Sequence, residues 1–505
     1  MKILRLMVLC GAGLLLAACE VGPNFLRPAA PVVSGYAKTP LPKRTAAAKV
    51  AGGAAQRFLR GRDIPGAWWR LFRSADLDRL IAVALKSNPD LDAAQAALRE
   101  AQENVYAGEG ALFPTVSAGA SATREQVPGA SLGLRQPSVR LDLVTASLDI
   151  AYAPDVFGGT RRAIESLEAQ AAYQHFELEA TYLTLTSNVV TAAVSDARLR
   201  DEIAATREII GIESDQLRLL RHQLTLGATS GAAVLAQQAA LAQTRASLPP
   251  LQKQLALTRN QLAALTGRFP SEAGPEAFTL ASLHLPQDIP VSLPSQLVRQ
   301  RPDVRAAEAE LHAASANIGV ATANELPQFA ITGAYGATAA NFAKLLSPGT
   351  LVWNIGGSVL QRLFDGGTLL HKRRAAVAAY DRAAAVYRGV VLGAFQNVAD
   401  ALRALEFDAE TLKAQAAAES AAKDSLDIAR RQFHIGAINY LTLLNADRTY
   451  EQARIALVQA QANRFADTAA LFQALGGGWW NRHDVSPADK GSPDRFALPL
   501  PIRTP

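Results

Sequence analysis

The chain is written twice. Residues 88–98 read NPDLDAAQAAL and residues 301–311 read RPDVRAAEAEL. The interval from Pro89 to Pro114 equals that from Pro302 to Pro327, and Ala93, Ala94, Leu98, Ala101 and Asn104 match Ala306, Ala307, Leu311, Ala314 and Asn317. Further on, Phe157-Gly158-Gly159-Thr160 matches Phe364-Asp365-Gly366-Gly367-Thr368, the segment 221–227 matches 430–436, and Leu235 and Gly267 match Leu444 and Gly476. Matches that hold their order over so much of the chain are a tandem duplication. Each repeat, 68–285 and 286–478, is expected to be one structural unit. Its grammar is a helix of about 25 residues ending at proline, two strand-like stretches, a glycine turn, a very long helix, a break, and a returning helix.

The long helices follow from the spacing of proline. None occurs between Pro154 and Pro249 or between Pro348 and Pro487. A single helix from Thr160 to Leu226 would be about 100 Å long, so it must lie against other helices along its length. The seams alternate steps of four and three, as in coiled coils. One runs Leu199, Ile203, Thr206, Ile210, Glu213, Leu217, Leu220, Leu224; the other runs Val377, Tyr380, Ala384, Tyr387, Val391, Ala394, Val398, Ala401, Leu405. A second seam at Leu392, Phe395, Ala399 and Leu402 gives that helix a neighbour on each side, which predicts a curved wall of helices. Pro249-Pro250 interrupts the first returning helix but nothing does so in the second, so the two hairpins are expected to be inequivalent, with a kink in the first.

Strands are expected at Thr115–Arg124 with Arg140–Tyr152, and at Phe329–Thr338 with Leu351–Phe364. In the second pair, Phe329, Ile331, Gly333 and Tyr335 alternate with Ala330, Thr332, Ala334 and Gly336, giving one apolar face and one small, polar face. That pattern suits a barrel wall between lipid and a water-filled lumen. In Arg140–Tyr152 the alternation loses phase near Val144, which predicts a bulge or a different boundary.

The N-terminus is an export signal. Lys2 and Arg5 precede an apolar stretch from Leu6 to Leu16, too short to span a membrane, followed by Leu16-Ala17-Ala18-Cys19. The small residues before Cys19 resemble a bacterial lipobox. The resemblance implies removal of 1–18 and lipidation of Cys19, with Glu20 favouring the outer membrane. Cys10 is then discarded, so no internal disulfide is available. Beyond Cys19 no run of about 18 apolar residues exists, so any crossing must be made by a closed sheet. Residues 19–67, rich in Pro, Ala and basic side chains without a helical or strand period, are expected to be a mobile, lipid-anchored tether. The tail 479–505 is polar and proline-rich.

Composition excludes other classes. A net charge of +6 over 505 residues, without a Lys/Arg stripe interleaved with aromatics, argues against a nucleic-acid partner. The seven histidines show no metal-ligand spacing, and no nucleotide-binding or hydrolase motif occurs. The chain is therefore expected to be no enzyme, with no catalytic residues, metal or cofactor.

Taken together, LAAC at 16–19, the duplicated proline-bounded helices, the FGGT and FDGGT turns, INYLTLLNADR at 438–448 and ALGGGWW at 474–480 resemble the TolC-like outer-membrane efflux proteins. The lipidated OprM-like and NodT-like branch fits best, over Trp68 to Trp480. The resemblance implies a mainly α fold with a transmembrane β-barrel. Four strands per protomer cannot close, whereas three copies supply twelve, and the long helices form a periplasmic α-helical barrel. It also implies a homotrimer, an outer-membrane location, a periplasmic adaptor protein and an inner-membrane RND-type transporter as partners, and the role of exit duct for drugs or other small solutes. A type I protein secretion duct, or a lipid-anchored coiled-coil scaffold without a pore, stands as the alternative.

Two residue sets carry over from the family. The helix breaks, Leu224, Thr225, Leu226, Gly227, Ala228 and Phe433, His434, Ile435, Gly436, Ala437, are the implied adaptor-contact tips, with apolar side chains expected to lack a core of their own. Leu441, Asn445 and Arg448 fall on one stripe of the second returning helix and are the implied periplasmic gate. Relatives place an aspartate where Asn445 stands, so a cation-binding ring is in doubt here. Asp447 points to another face, and Arg448 is expected to find an acid on a neighbouring helix.

Overall fold

A computed structural model of the chain describes residues 20–128, 133, 138–272, 274 and 277–482. The signal segment, Cys19 and the tail beyond Arg482 lie outside the described residues. The elements in order are β1 (Arg57–Arg60), α1 (Ala75–Ser87), α2 (Pro89–Glu109), β2 (Thr115–Pro128), β3 (Ser138–Tyr152), α3 (Gly159–Thr225) and α4 (Gly231–Leu265). Then come β4 (Asp288–Val291), α5 (Pro294–Gln300), α6 (Pro302–Ala323), β5 (Gln328–Ala339), β6 (Leu351–Leu360), α7 (Thr368–His434) and α8 (Tyr440–Ala474). No helix among the described residues is long and apolar enough to cross a membrane.

The chain forms two compact units, and neither coincides with a repeat. One holds the residues up to Pro28 with Ala96–His175 and Ala306–Arg388; the other holds Ala29–Gln95, Phe176–Arg305 and the residues from Gly389 onward. The expectation of one structural unit per repeat is thus corrected. The reason is visible in the sheet: the hairpin of the first repeat uses β3 to pair with β5 of the second, so neither hairpin stands alone.

In the first unit the sheet order is β2-β3-β5-β6, all antiparallel. Tyr335 faces Trp353 and Phe329 faces Val359, so the odd positions of β5 and β6 make one apolar face. The even positions of β2 and β3 join it through Leu148 opposite Tyr335 and Ile150 opposite Gly333. Thr145 and Thr338 lie 3.3 Å apart, Oγ1 to Oγ1, on the other face. The expected break near Val144 does not occur. Pairing of β2 with β3 runs without a slip from Thr115↔Ala151 to Pro128↔Ser138. The apolar residues of β3 move from even to odd positions there while the pairing register continues unbroken.

The N-terminal residues, read as part of a structureless tether, are tied to this unit. Val21 N donates to Phe157 O at 3.1 Å. The buried Arg162 donates to Val21 O at 3.2 Å and to Asn24 Oδ1 at 2.6 Å. Phe25 stacks on His312 with ring centroids 4.3 Å apart, and Arg27 pairs with Glu308 at 2.6 Å.

The second unit builds its core on aromatic side chains. Trp68 stacks on Phe472 at 5.3 Å, with Phe72 and Phe465 beside them, all buried. Helix α1 is capped by Ser74, whose Oγ accepts from Leu77 N, and Leu77, Leu80, Ile81 and Ala84 are its buried face. Here too the supposed tether has regular structure, since β1 pairs in parallel with β4. Arg464, with no exposed surface, anchors it by donating to Gly52 O (3.0 Å), Thr45 Oγ1 (3.2 Å) and Gln56 Oε1 (2.8 Å). The residues at 479–482 are seated as well. Trp479 is buried, and Trp480 and Asn481 both donate to Asp63.

Helices α3 and α7 each have 67 residues, and α4 and α8 each have 35. The first predicted seam is buried at Leu199, Ile203, Thr206, Glu213, Leu217 and Leu220. Leu224, at its end, is exposed. Pro249 and Pro250 lie inside α4 without ending it; a proline removes one hydrogen bond, which a helix of this length tolerates. The hairpins are inequivalent in burial: eight residues of α4 are buried against sixteen of α8.

Candidate functional site

Apart from Cys19, which lies outside the described residues, the functional residues proposed from sequence fall at or beside the hairpin turns, in the second unit. Both turns have the same geometry. Gly227 and Gly436 each adopt φ 72°, in the left-handed region that glycine reaches without strain. Ala228 N donates to Gln223 O, and Ala437 N donates to Gln432 O, both at 2.8 Å. Identical closure explains why one glycine per turn was readable in both repeats.

The apolar residues of the turns divide into two kinds. Leu226 and Ile435 are 69% and 78% exposed, and Leu224, Thr225, Ala228, His434 and Ala437 are also open to solvent. Phe433 departs from the expectation that the tips lack a core. Its ring lies 6.0 Å from Tyr440 at 67°, and it packs against a cluster of Leu217, Leu220, Val234, Leu241, Tyr440 and Leu444. That cluster draws on α3, α4 and α8, so the two hairpins share a small core next to their ends.

Helix α8 carries two different faces. Leu441, Asn445 and Arg448 lie exposed along one stripe, Leu441 at 60%. Tyr440, Leu443, Leu444 and Asp447 are buried on the other side. Asp447 thus points away from the stripe, as its spacing requires. It accepts from Gln216 of α3 and from Arg430 of α7, the latter at 3.4 Å. Among the described residues Arg448 forms no ion pair, but its charge bears on Glu213 of α3 and Glu451 of α8.

Glu213 was legible only as an anomaly, an acid at an apolar seam position. It is buried at 2% exposure, and its Oε2 has no hydrogen-bond partner among the described residues. Burial pushes its carboxyl up to about 6, with Asp447 and Glu451 adding to the rise and Thr244 and Arg448 opposing it. Burial also raises Asp447, against the hydrogen bonds from Gln216 and Arg430. Tyr440 donates to Gln237 Oε1 of α4, and Gln237 Nε2 donates to Glu213 O at 2.9 Å. Gln216 and Gln237 carry no motif, Arg430 and Tyr440 stand inside quoted stretches without any sign of these contacts, and only the assembled hairpins bring the four together. The arrangement holds α8 against the first hairpin by polar bonds that water can replace. Among the described residues no group of three or more His, Cys, Asp or Glu is placed to hold a metal ion.

Comparison with known proteins bears on the same elements. The family described as outer membrane efflux protein matches residues 80–268 and 293–477, one segment in each repeat. Outer membrane protein OprJ of Pseudomonas aeruginosa is 29% identical over 472 residues, covering 92% of this chain and 94% of its own length. The pyoverdine export outer membrane protein OpmQ of Pseudomonas putida is 28% identical over 447 residues, 87% of this chain and 94% of its own. Among solved structures, the outer-membrane channel OprN superposes with a TM-score of 0.82 at 29% identity, covering 91% of this chain and all of its own. The outer membrane protein VceC of Vibrio cholerae gives 0.76 at 27% identity over 83% of this chain.

Proposed function

The chain belongs to the outer membrane efflux protein family, and we propose that it is the exit duct of a tripartite pump, passing drugs or other small solutes received from an RND-type inner-membrane transporter through a periplasmic adaptor. It is an outer-membrane efflux channel, and the proteins it resembles are channels with no catalytic family among them. The observation that carries the duct is the sheet. Four strands with one apolar and one polar face, and with β2 and β6 left as free edges, are complete only when copies close them. Three copies supply a twelve-stranded barrel.

The parts of the duct are assigned on that basis. Cys19 is the acylated residue. In support, Glu20 packs so closely on Gly158, just past β3, that a Cβ there would fall 2.7 Å from Glu20 Cγ. The exposed Leu226 and Ile435 are apolar side chains at helix ends, of the kind that mark a contact, and we assign the tips to the adaptor. Leu441, Asn445 and Arg448 form the resting constriction, because their stripe is the exposed face of the helix held by Tyr440 and Asp447. Asn445 gives that ring hydrogen-bonding capacity without charge.

Electron microscopy of detergent-purified protein, averaged down its long axis, tests the proposal. A threefold tube with a central lumen is expected. A thin rod without a lumen overturns the duct and leaves a lipid-anchored scaffold.

A further inference from the structure

Residues 21–62 carry eight basic side chains and no acid. A charge run of that kind usually belongs to a disordered, solvated tail. Here its C-terminal half is folded, in the second unit. Residues 44–57 make a small hairpin: Arg44 pairs with Arg57 in antiparallel register, Thr45 N donates to Gln56 O at 2.9 Å, and Ala48 N donates to Gly53 O at 2.8 Å across the turn. Thr45 and Gln56 are buried, and both accept from Arg464. Ala48 and Val50 pack on the core cluster of Leu412, Leu457 and Ala460.

That anchoring fixes what faces outward. Side chains alternate along a strand, so Arg44 and Arg57 stand side by side on the face opposite Thr45 and Gln56, and both are exposed. Arg57 has a partner, Asp288 at 2.6 Å, which Arg62 shares at 3.9 Å. Among the described residues Arg44 has none, and neither have Lys38, Lys43 and Lys49, all exposed. Like charges directly across a strand pair are unfavourable, and no acid within the hairpin relieves them. The fold therefore holds these cations outward in an arrangement that an external anion would stabilise.

We propose that this hairpin is a docking surface for a polymer of repeating carboxylates, the peptide-bearing wall of the periplasm. The inference rests on the duct reading, which sets the helices in that compartment. Charge complementarity selects the occupant, together with what the surface lacks. Segments that settle on a membrane pair their basic side chains with apolar ones that insert. Between 38 and 57 the large apolar side chains are Leu41 and Val50, and both are half-buried. Contacts between exposed charges are individually weak, so a lone acid would be held poorly. A polymer can engage the hairpins of three copies at once, and linked contacts multiply affinity. The wall would then steady the duct at a level set by the hairpin.

Sedimentation with purified peptidoglycan sacculi tests it, using the full-length protein in phosphatidylcholine nanodiscs. Binding is expected at about 50 mM salt and should fall roughly fivefold or more at about 0.5 M, because exposed charges are screened. Lys38→Gln, Lys43→Gln, Arg44→Gln and Lys49→Gln together should lower it as much, with trimers and melting midpoint unchanged. The control removes the same charge elsewhere on the unit, by glutamine at the exposed Lys86, Lys253, Lys413 and Lys423, and should keep binding. Sacculi whose carboxylates have been converted to amides should not bind. Equal binding by the two quadruple variants, or undiminished binding to amidated sacculi, overturns the proposal. Capture by phosphatidylglycerol vesicles but not by sacculi also overturns it and makes the hairpin a membrane contact. Trimers that bind no sacculi overturn the docking surface and leave the duct standing. Hairpin-dependent binding by a protein that forms no trimer supports the surface and overturns the duct.

Discussion

Gln237 ties Tyr440 to the first hairpin: its Oε1 accepts the Tyr440 hydroxyl from α8, and its Nε2 donates to the Glu213 carbonyl on α3 at 2.9 Å. One amide thereby links three helices beside the small core formed by Leu217, Leu241 and Leu444. Because the stripe of Leu441, Asn445 and Arg448 is on the outer side of α8, any loosening of this amide frees the proposed constriction.

Tyr440→Phe should therefore both destabilise and open. It leaves the buried Gln237 Oε1 without its donor, which costs about 1–3 kcal/mol. Replacing both partners, with Gln237→Leu added, should recover part of that loss, since the stranded Oε1 is gone although the Glu213 carbonyl loses its Nε2 donor. Thermal melts of the two variants check the stability, and single-channel conductance checks the opening. Conductance is expected to rise in both variants, since neither keeps the bond that ties α8 to the first hairpin.

Acid should tighten the same packing. Glu213 has an ordinary value of 4.5 and is held at about 6 in the closed hairpins. The packed form therefore binds more protons than a form in which Glu213 is solvated. Its advantage is fullest below about pH 4.5 and is lost as pH rises through about 6, a difference of about 2 kcal/mol. Asp447 and Glu451 are raised as well and act in the same direction. The melting midpoint should be higher at pH 5 than at pH 7.5. Glu213→Gln should remove most of that difference while raising the midpoint at pH 7.5.

What the sequence made legible follows the physics each signal reports. Proline spacing and seams located α3 and α7, because a helix of 67 residues needs an unbroken apolar stripe. The glycines at 227 and 436 marked their ends, because a left-handed residue closes both turns. Period-two alternation found β5 and β6, whose two faces meet different solvents along their whole length. It failed in β3, where the apolar residues move from even to odd positions at Val144 without any slip of register, and that change of face imitated a bulge. Phe433 was read as a bare tip residue because its partner Tyr440 belongs to the next helix. The amide of Gln237 carries no local pattern and the acid of Glu213 shows only as an exception within its seam, since their roles arise from contacts between helices distant in sequence.

The stripe on α8 makes a separate prediction. Leu441→Ala removes an apolar side chain from the proposed constriction and should raise resting conductance and susceptibility to large antibiotics several-fold. Asn445→Asp should act differently. Three carboxylates around a threefold axis repel one another and attract cations, so this variant should gain block by millimolar divalent cations that the natural protein lacks. Planar-bilayer recordings with and without magnesium separate the two effects.

The tips separate binding from folding. Leu226→Glu and Ile435→Glu change side chains that are 69% and 78% exposed and touch no core. They should leave the melting midpoint within about 1 °C, because exposed substitutions away from special features change stability by no more than about 0.5 kcal/mol. Each should nonetheless abolish cross-linking to the adaptor and lower efflux-dependent resistance, since a buried carboxylate has no partner in an apolar contact. Phe433→Ala is the control of opposite sign. Its ring packs on Tyr440 at 6.0 Å, so its loss should cost about 1–3 kcal/mol of stability, below the full aromatic-to-alanine value because the site is half-buried. Melting curves of the three variants, read beside adaptor cross-linking in cells, decide the assignment. Tip variants that melt normally and still bind the adaptor would remove Leu226 and Ile435 from the interface.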